Sequence, residues 1–204
     1  MKLVAVSAGL STPSSTRLLA DRLTDTVRDE LADQGHKAEV DVIELRALAV
    51  AIANNLVTGF PPPQLAGALE AVTSADGLVT VTPVFSAAYS GLFKSFFDLL
   101  DPGALAGKPV LIGATGGTAR HSLVLDHALR PLFTYLRTVA LPTGVYAASE
   151  DWGSGSDAHT EGLPARIRRA GREMASILAT RAAHPVPVDD PTLPKKQLSD
   201  LRFD

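Results

Sequence analysis

The 204-residue sequence contains no cysteine, which excludes a disulfide framework, a thiolate nucleophile, a Cys-ligated zinc site and a Cys-bound iron–sulfur cluster. Aromatic residues are scarce at 5 %, so the apolar 46 % is mostly aliphatic and alanine-rich. Positive charge is not in excess either: 19 Lys and Arg against 22 Asp and Glu leave a net charge of −3. That balance lacks the field which non-specific nucleic-acid binding requires. No apolar run approaches the roughly 18 residues of a membrane span. The opening MKLVAVSAGL breaks at Gly9 and Ser11 instead of continuing as a signal segment. What is left is globular composition in a chain long enough to bury on the order of 70 % of its unfolded surface. A cytoplasmic protein with neither nucleic-acid nor membrane partners is expected.

Residues 2–6 (KLVAV) form a short apolar run that opens into SAGLSTPSST, the mark of a buried strand followed by a loop. Leu19, Leu23, Val27 and Leu31 then recur every four residues, an amphipathic helix closed by Gly35. Residues 38–43 alternate as a second strand, and 44–60 is ambiguous. A short helix from Leu65 to Thr73 follows the prolines of PPP. GLVTVTPVF reads as a third strand ended by Pro83, and LFKSFFDLL as the next helix. KPVLIGA is a fourth strand with TGGT as its terminal loop, 120–138 a helix, and 139–147 a fifth strand. The loop from Asp151 to Gly155 leads into a helix over 163–182, whose inner stripe is Leu163, Ile167, Ala170, Met174 and Ile177. Arg166, Arg168, Arg169 and Arg172 read as the solvated face of that helix. Strands alternating with helices imply a parallel sheet covered on both faces. Residues 1–183 are expected to form one domain and 184–204, rich in proline, a tail that is disordered or ordered only against another subunit.

In an open parallel sheet, ligands bind outside the carboxyl ends of the strands, where strand order reverses. Three loops leave those ends. The first offers Ser7, Gly9, Ser11, Ser14, Ser15 and Thr16, hydroxyls and bare N–H groups at a helix start that suit a phosphate. A Ser/Thr-rich helix cap that binds nothing fits the same residues. The loop has neither a Walker A ending nor GxGxxG, which disfavours nucleoside triphosphates and the usual dinucleotide fingerprint. After the third strand, Pro83 is expected to turn the backbone out of the sheet and aim Phe85 and Tyr89 at the crevice. They would hold a flat ligand there, or serve as ordinary core aromatics. After the fourth, Thr115, Gly116, Gly117 and Thr118 allow close backbone approach to a ring edge, and a plain tight turn explains them as well. The five histidines lack any HExxH-like spacing, so no metal site is expected.

Residues 74–133, and more broadly 3–150, resemble the NADPH-dependent FMN reductase family, particularly the reductases of two-component alkanesulfonate monooxygenase systems. The resemblance rests on PVFSAAYSG, with Pro83, Ala87, Ala88, Tyr89, Ser90 and Gly91, and on TGG at Thr115, Gly116 and Gly117. It departs at Phe85, where tyrosine is common, at Ser86, where a lysine can occur, and in a first loop without GSPR. The resemblance implies a flavodoxin-like, doubly wound, five-stranded parallel sheet of order 2-1-3-4-5. It implies FMN and NADPH as cofactors, with NADH the alternative donor. The loop over 7–16 would hold the FMN phosphate, Pro83, Val84, Phe85, Ser86 and Tyr89 would flank the isoalloxazine, and Thr115–Thr118 would meet its polar edge. Hydride transfer from nicotinamide C4 to flavin N5 needs no protein nucleophile, so no catalytic side chain is assigned. The reduced FMN would pass to a partner monooxygenase.

A flavin-retaining azo- or quinone reductase and a flavodoxin-type electron carrier are the alternatives, although such carriers are usually far more acidic than −3. A receiver-type signalling domain would need acidic residues where Ser7 and Pro83 stand. Within 120–138, Pro131 has no N–H and its ring crowds the carbonyl of His127, so the helix is expected to bend or bulge there. In similar reductases this helix lies at a subunit interface, with a tyrosine often at the position of His127. A homodimer or homotetramer follows, with His127, Leu123, Arg130 and Phe133 near a neighbouring subunit.

Overall fold

Apolar runs too continuous for a one-sided sheet form the centre of the molecule in a computed structural model that describes residues 1–153 and 162–183. Strands β1 (Lys2–Ser7), β3 (Gly77–Phe85) and β5 (Pro109–Gly116) run parallel, with β2 (Glu39–Glu44) outside β1 and β6 (Val139–Ala140) outside β5. Period-two alternation sends successive side chains to opposite faces. Val4, Val6, Leu78, Val110 and Ile112 enter one core with α2 (Leu45–Thr58), α3 (Pro63–Ser74) and α4 (Gly91–Phe97). Leu3, Ala5, Val79, Val81 and Leu111 enter the other, beneath α1 (Ser15–Asp33) and α6 (Leu163–Ala183). The α1 stripe of Leu19, Leu23, Val27 and Leu31 is fully buried, about 1.5–3 kcal/mol of transfer free energy for each side chain. The ambiguous 44–60 is α2, which follows β2 without a loop and ends at Gly59 (φ 74°), whose N–H returns to the Asn55 carbonyl at 2.8 Å.

Among the described residues the sheet has seven strands where five were expected. The run 139–147 is cut into β6 and β7 (Val145–Ala148), both paired with β5. Pro142 has no N–H for a ladder, and Arg130 donates to the carbonyls of Leu141 (2.8 Å) and Pro142 (3.0 Å), satisfying backbone that pairing would have used. The other addition is β4 (Ala88–Tyr89), antiparallel to the end of β3. Pro83 does not end β3 as expected: it pairs with Thr115, and the strand runs on to Phe85. The reason lies in register. The Val81 carbonyl accepts from Ala8 N–H (2.9 Å) on the β1 side, so residue 83 would also direct its N–H to that side, and β1 has already ended at Ser7. A missing donor costs nothing where no acceptor strand remains.

The helix expected over 120–138 is broken in the manner that Pro131 requires. A π-helical segment, Leu125–Leu129, precedes α5 (Arg130–Tyr135), which carries Pro131 in its first turn. Phe133 is fully buried against Phe93 (6.2 Å between centroids) and Phe97 (5.1 Å), so it cannot face a neighbouring subunit; His127 and Leu123 are exposed. In α6 the inner stripe is Leu163, Ile167, Ala170, Met174 and Leu178, with Ile177 only partly buried. The expectations for the 184–204 tail, for Ser154 and Gly155 and for His159 and His184 fall outside the described residues. No described helix is long and apolar enough to cross a membrane.

Helices α1 and α6 meet at Gly171, where a Cβ would lie 2.5 Å from Thr26 Cγ2 and 2.9 Å from its Cβ. Alanine there gains up to about 1 kcal/mol of helix propensity. The overlap forces the helices apart, at a typical overpacking cost of about 1–3 kcal/mol. Gly171→Ala is therefore expected to lower stability by about 1 kcal/mol in urea unfolding, opposite in sign to its helix propensity.

Candidate functional site

A cleft of about 580 Å³ opens at the carboxyl ends of the strands, within the roughly 300–1,000 Å³ of small-molecule and cofactor sites. It exists because β1 stops at Ser7 while β3 and β5 continue to Phe85 and Gly116. Its lining comes from four segments: the β1–α1 loop and first turn of α1, the end of β3, the end of β5, and the turn after β7.

The first turn of α1 is prepared for an anion. Ser14 is the N-cap, extended at φ −120°, and its Oγ accepts from the Arg17 N–H at 3.2 Å, while the Leu18 N–H bonds to the Ser14 carbonyl at 3.0 Å. The N–H groups of Ser15 and Thr16, the first two positions, have no intrahelical acceptor, and both residues line the cleft. No acidic side chain in that turn balances the helix dipole. Arg17 is committed elsewhere: hydrogen bonding to Asp21 (2.7 Å), joined by Glu44 (2.5 Å), raises its guanidinium above its ordinary value. Gly9 stands behind the cap, since a Cβ on it would fall 2.0 Å from Ser14 Oγ. The Thr16 side chain turns away to the sheet, where Oγ1 lies 2.8 Å from Thr115 Oγ1, both residues buried.

Across the cleft, β3 and β4 form a hairpin with Ser86 (φ 48°) and Ala87 (φ 66°) at its centre. Two positive φ values in succession suit Asn and Gly, and each side chain here costs about 1–2 kcal/mol. The strained turn leaves Phe85 47 % exposed at the cleft, while Val84 and Tyr89 pack toward the α2–α4 core. At the end of β5 the two glycines differ. A Cβ on Gly117 would meet nothing within 4 Å, whereas one on Gly116 would lie 2.1 Å from Tyr146 Oη. That phenol donates to the Thr118 carbonyl at 2.7 Å, and burial raises its pKa, keeping it a donor. Tyr146 thus ties β7 to the loop after β5.

Of the fourteen candidate residues, Ser15, Thr16, Pro83, Val84, Phe85, Thr115, Gly116 and Gly117 line the cleft. Ser7 is buried, its Oγ without a partner among the described residues. Gly9, Ser14 and Thr118 act behind the lining as just described, and Ser86 and Tyr89 belong to the hairpin. Four further residues join it: Leu10, Ser11, Ser149 and Trp152. Leu10 and Ser11 lie inside a loop already singled out. Ser149 and Trp152 carry no spacing signal, because they are brought in by Arg166, which leaves its expected solvated face to donate to the Tyr146 carbonyl (2.6 Å) and pair with Asp151. No charged side chain lines the cleft among the described residues. The donor set therefore fits a ligand with one anionic group, for the α1 turn, and a flat uncharged body between apolar walls.

The sequence model of the NADPH-dependent FMN reductase family matches residues 1–153. An FMN reductase (NADPH) of Pseudomonas aeruginosa is 41 % identical over 183 residues, covering 89 % of this chain and 94 % of the relative. An NADH-dependent FMN reductase, SfnF, of Pseudomonas fluorescens is 39 % identical, covering 88 % and 93 %. The crystal structure of an oxidoreductase from Corynebacterium diphtheriae, 47 % identical, superposes with a TM-score of 0.83 over 88 % of this chain and 97 % of its own. A flavodoxin from the domain Archaea, 14 % identical, gives 0.57 over 88 % and 99 %, which shows the flavodoxin-like α/β fold alone.

Gly116→Ala is expected to push the Tyr146 phenol off the Thr118 carbonyl, a loss of about 1–3 kcal/mol. In a Tyr146→Phe background, where the clashing oxygen is gone, the same substitution is expected to cost less, a coupling that a double-mutant cycle in urea reads directly. Gly117→Ala is the neutral control.

Proposed function

Because the chain belongs to the NADPH-dependent FMN reductase family, we propose that the cleft holds FMN with its phosphate on the first turn of α1 and its ring system between the walls beyond β3 and β7. The activity is NAD(P)H-dependent reduction of FMN, and the relatives include both an NADPH- and an NADH-dependent enzyme. When bound, the flavin supplies a hydride acceptor for the nicotinamide. The observation that carries the placement is the pair of unsatisfied N–H groups on Ser15 and Thr16, opening into a cleft without a carboxylate to compete for them.

The chain's own groups then have separate tasks. Main-chain donors of α1 bind and orient the phosphate. Thr16 Oγ1 does not reach for it but holds Thr115 at 2.8 Å, so the phosphate end and the ring end of the site are braced against each other. Phe85, Val84 and Leu10 exclude water from a flat ligand, and neither a nucleophile nor a general base is required. Reduced FMN is released to a partner monooxygenase, a role that predicts free FMN to behave as a saturable substrate. The chain assembles as a homo-oligomer through the exposed surface around His127 on the π segment and Leu123 just before it.

Ser15→Pro removes one phosphate donor while keeping the helix, since proline is favoured at the first helical position and Ser14 already has the extended backbone that must precede it. Loss of a hydrogen bond to a charged group is expected to weaken FMN by about 1.5–3 kcal/mol. Riboflavin, without the phosphate, is expected to bind as it does to the parent and to Ser15→Ala. Equal losses for both flavins would remove the phosphate from α1. Sedimentation at micromolar concentration is expected to show an assembly that His127→Ala weakens; a 21.4 kDa monomer would overturn the oligomer.

A further inference from the structure

The turn Ser149–Trp152 is held more firmly than an exposed connection needs. Arg166 Nη1 donates to the Tyr146 carbonyl at 2.6 Å and its Nη2 pairs with Asp151, whose other oxygen accepts the Ala148 N–H at 2.8 Å. Both partners are mostly withdrawn from solvent, with side chains 24 % and 21 % exposed. Taking such a pair out of water costs free energy that mutual attraction only partly returns, so its use on one short turn calls for a reason other than stability. The turn delivers Trp152 to the cleft. The indole is half-buried against the α1–α6 core, and the Arg22 guanidinium stands 5.1 Å from its ring centroid. Phe85 enters from the hairpin, whose neighbouring side chains Val84 and Tyr89 belong to the opposite core. The cleft is thus lined by two aromatic residues carried on separate segments, Phe85 at the end of β3 and Trp152 on the turn after β7.

We propose that Trp152 is the wall against which the flavin ring system rests, and that Asp151 and Arg166 are positioning residues that set the indole in place. This rests on the reading of the cleft as the FMN site. Aromatic rings of opposed polarity stack offset, and an indole braced by a cation on one side and an ion pair beneath its turn loses little freedom when a flavin arrives. The contact is to the ring system, so it is blind to the phosphate, in contrast to the α1 turn.

The test uses equilibrium titration of the flavin-free protein with FMN and with riboflavin. Trp152→Leu is expected to weaken both ligands by the same factor, about tenfold, and Trp152→Phe to restore most of it. The absorption band of bound flavin is expected to change shape in the leucine variant and recover in the phenylalanine one. Because Trp152 is the single tryptophan, its emission reports on this turn alone. Asp151→Ala is expected to shift that emission to the red before any flavin is added, and to weaken both flavins together. Should the leucine variant lose its far-UV circular dichroism, the phenylalanine and Asp151 variants decide. Unchanged affinity for both flavins in Trp152→Leu overturns the wall, and unchanged emission in Asp151→Ala overturns the positioning. A parent protein that binds no flavin overturns the reading of the cleft itself, an outcome distinct from the other two.

Discussion

The structure depends on a step in the lengths of its central strands. β1 pairs with β3 only as far as Ser7 against Val81, while β3 and β5 stay in register through Pro83 and Thr115. Beyond that step one side of β3 has no neighbour, and the chain leaving β1 must cross the gap before α1 begins at Ser15. The cleft is the space so created. A parallel sheet directs all such chain exits to one end, which is why residues from four separate segments can line a single pocket.

Around that opening the hydrogen bonds run between segments rather than into the cleft. Thr16 holds Thr115, Tyr146 holds Thr118, and Arg166 holds both the Tyr146 carbonyl and Asp151. These side chains carry the support, and the surfaces left to a ligand are main-chain N–H groups, glycine backbone, the exposed serines Ser11, Ser15 and Ser149, and hydrocarbon. That division suits a family whose chemistry belongs to the cofactor and the nicotinamide, since the protein has only to place rings and exclude water. Strain is stored at the same place: the positive φ values at Ser86 and Ala87 sit on the hairpin that raises Phe85, where surrounding pairing to β3 over-determines the turn.

The π segment before Pro131 is tied to the break between β6 and β7. Arg130, which follows the segment directly, spends its guanidinium on the carbonyls of Leu141 and Pro142, between β6 and β7, with Asp126 of the π segment at 3.1 Å from its Nε. The irregular helix and the irregular strand thus satisfy each other. Phe133, one turn on, closes the aromatic cluster with Phe93 and Phe97 and anchors the helix from inside, leaving His127 and Leu123 outward.

Much of this was legible in the sequence, because it is local. A period-four apolar recurrence in α1, a helical apolar stripe in α6 and a continuous β-branched run in β3 placed these elements close to their observed bounds, the serine-rich loop announced a helix start, and Pro131 announced a break in its ladder. The family resemblance added the ligand class. Features decided by neighbours were not legible. Whether Pro83 ends a strand depends on how far β1 extends beside it, and whether Thr16 faces a ligand depends on Thr115, ninety-nine residues away in the chain. Arg166 looked solvated in a basic run because periodicity reports which face of a helix is apolar, not which polar side chain another loop will recruit. Trp152 entered the cleft by the same recruitment. Sequence determines what each segment prefers by itself; where segments compete for one donor, one register or one face, only the packed tertiary structure chooses, because the deciding free energy is that of the pair.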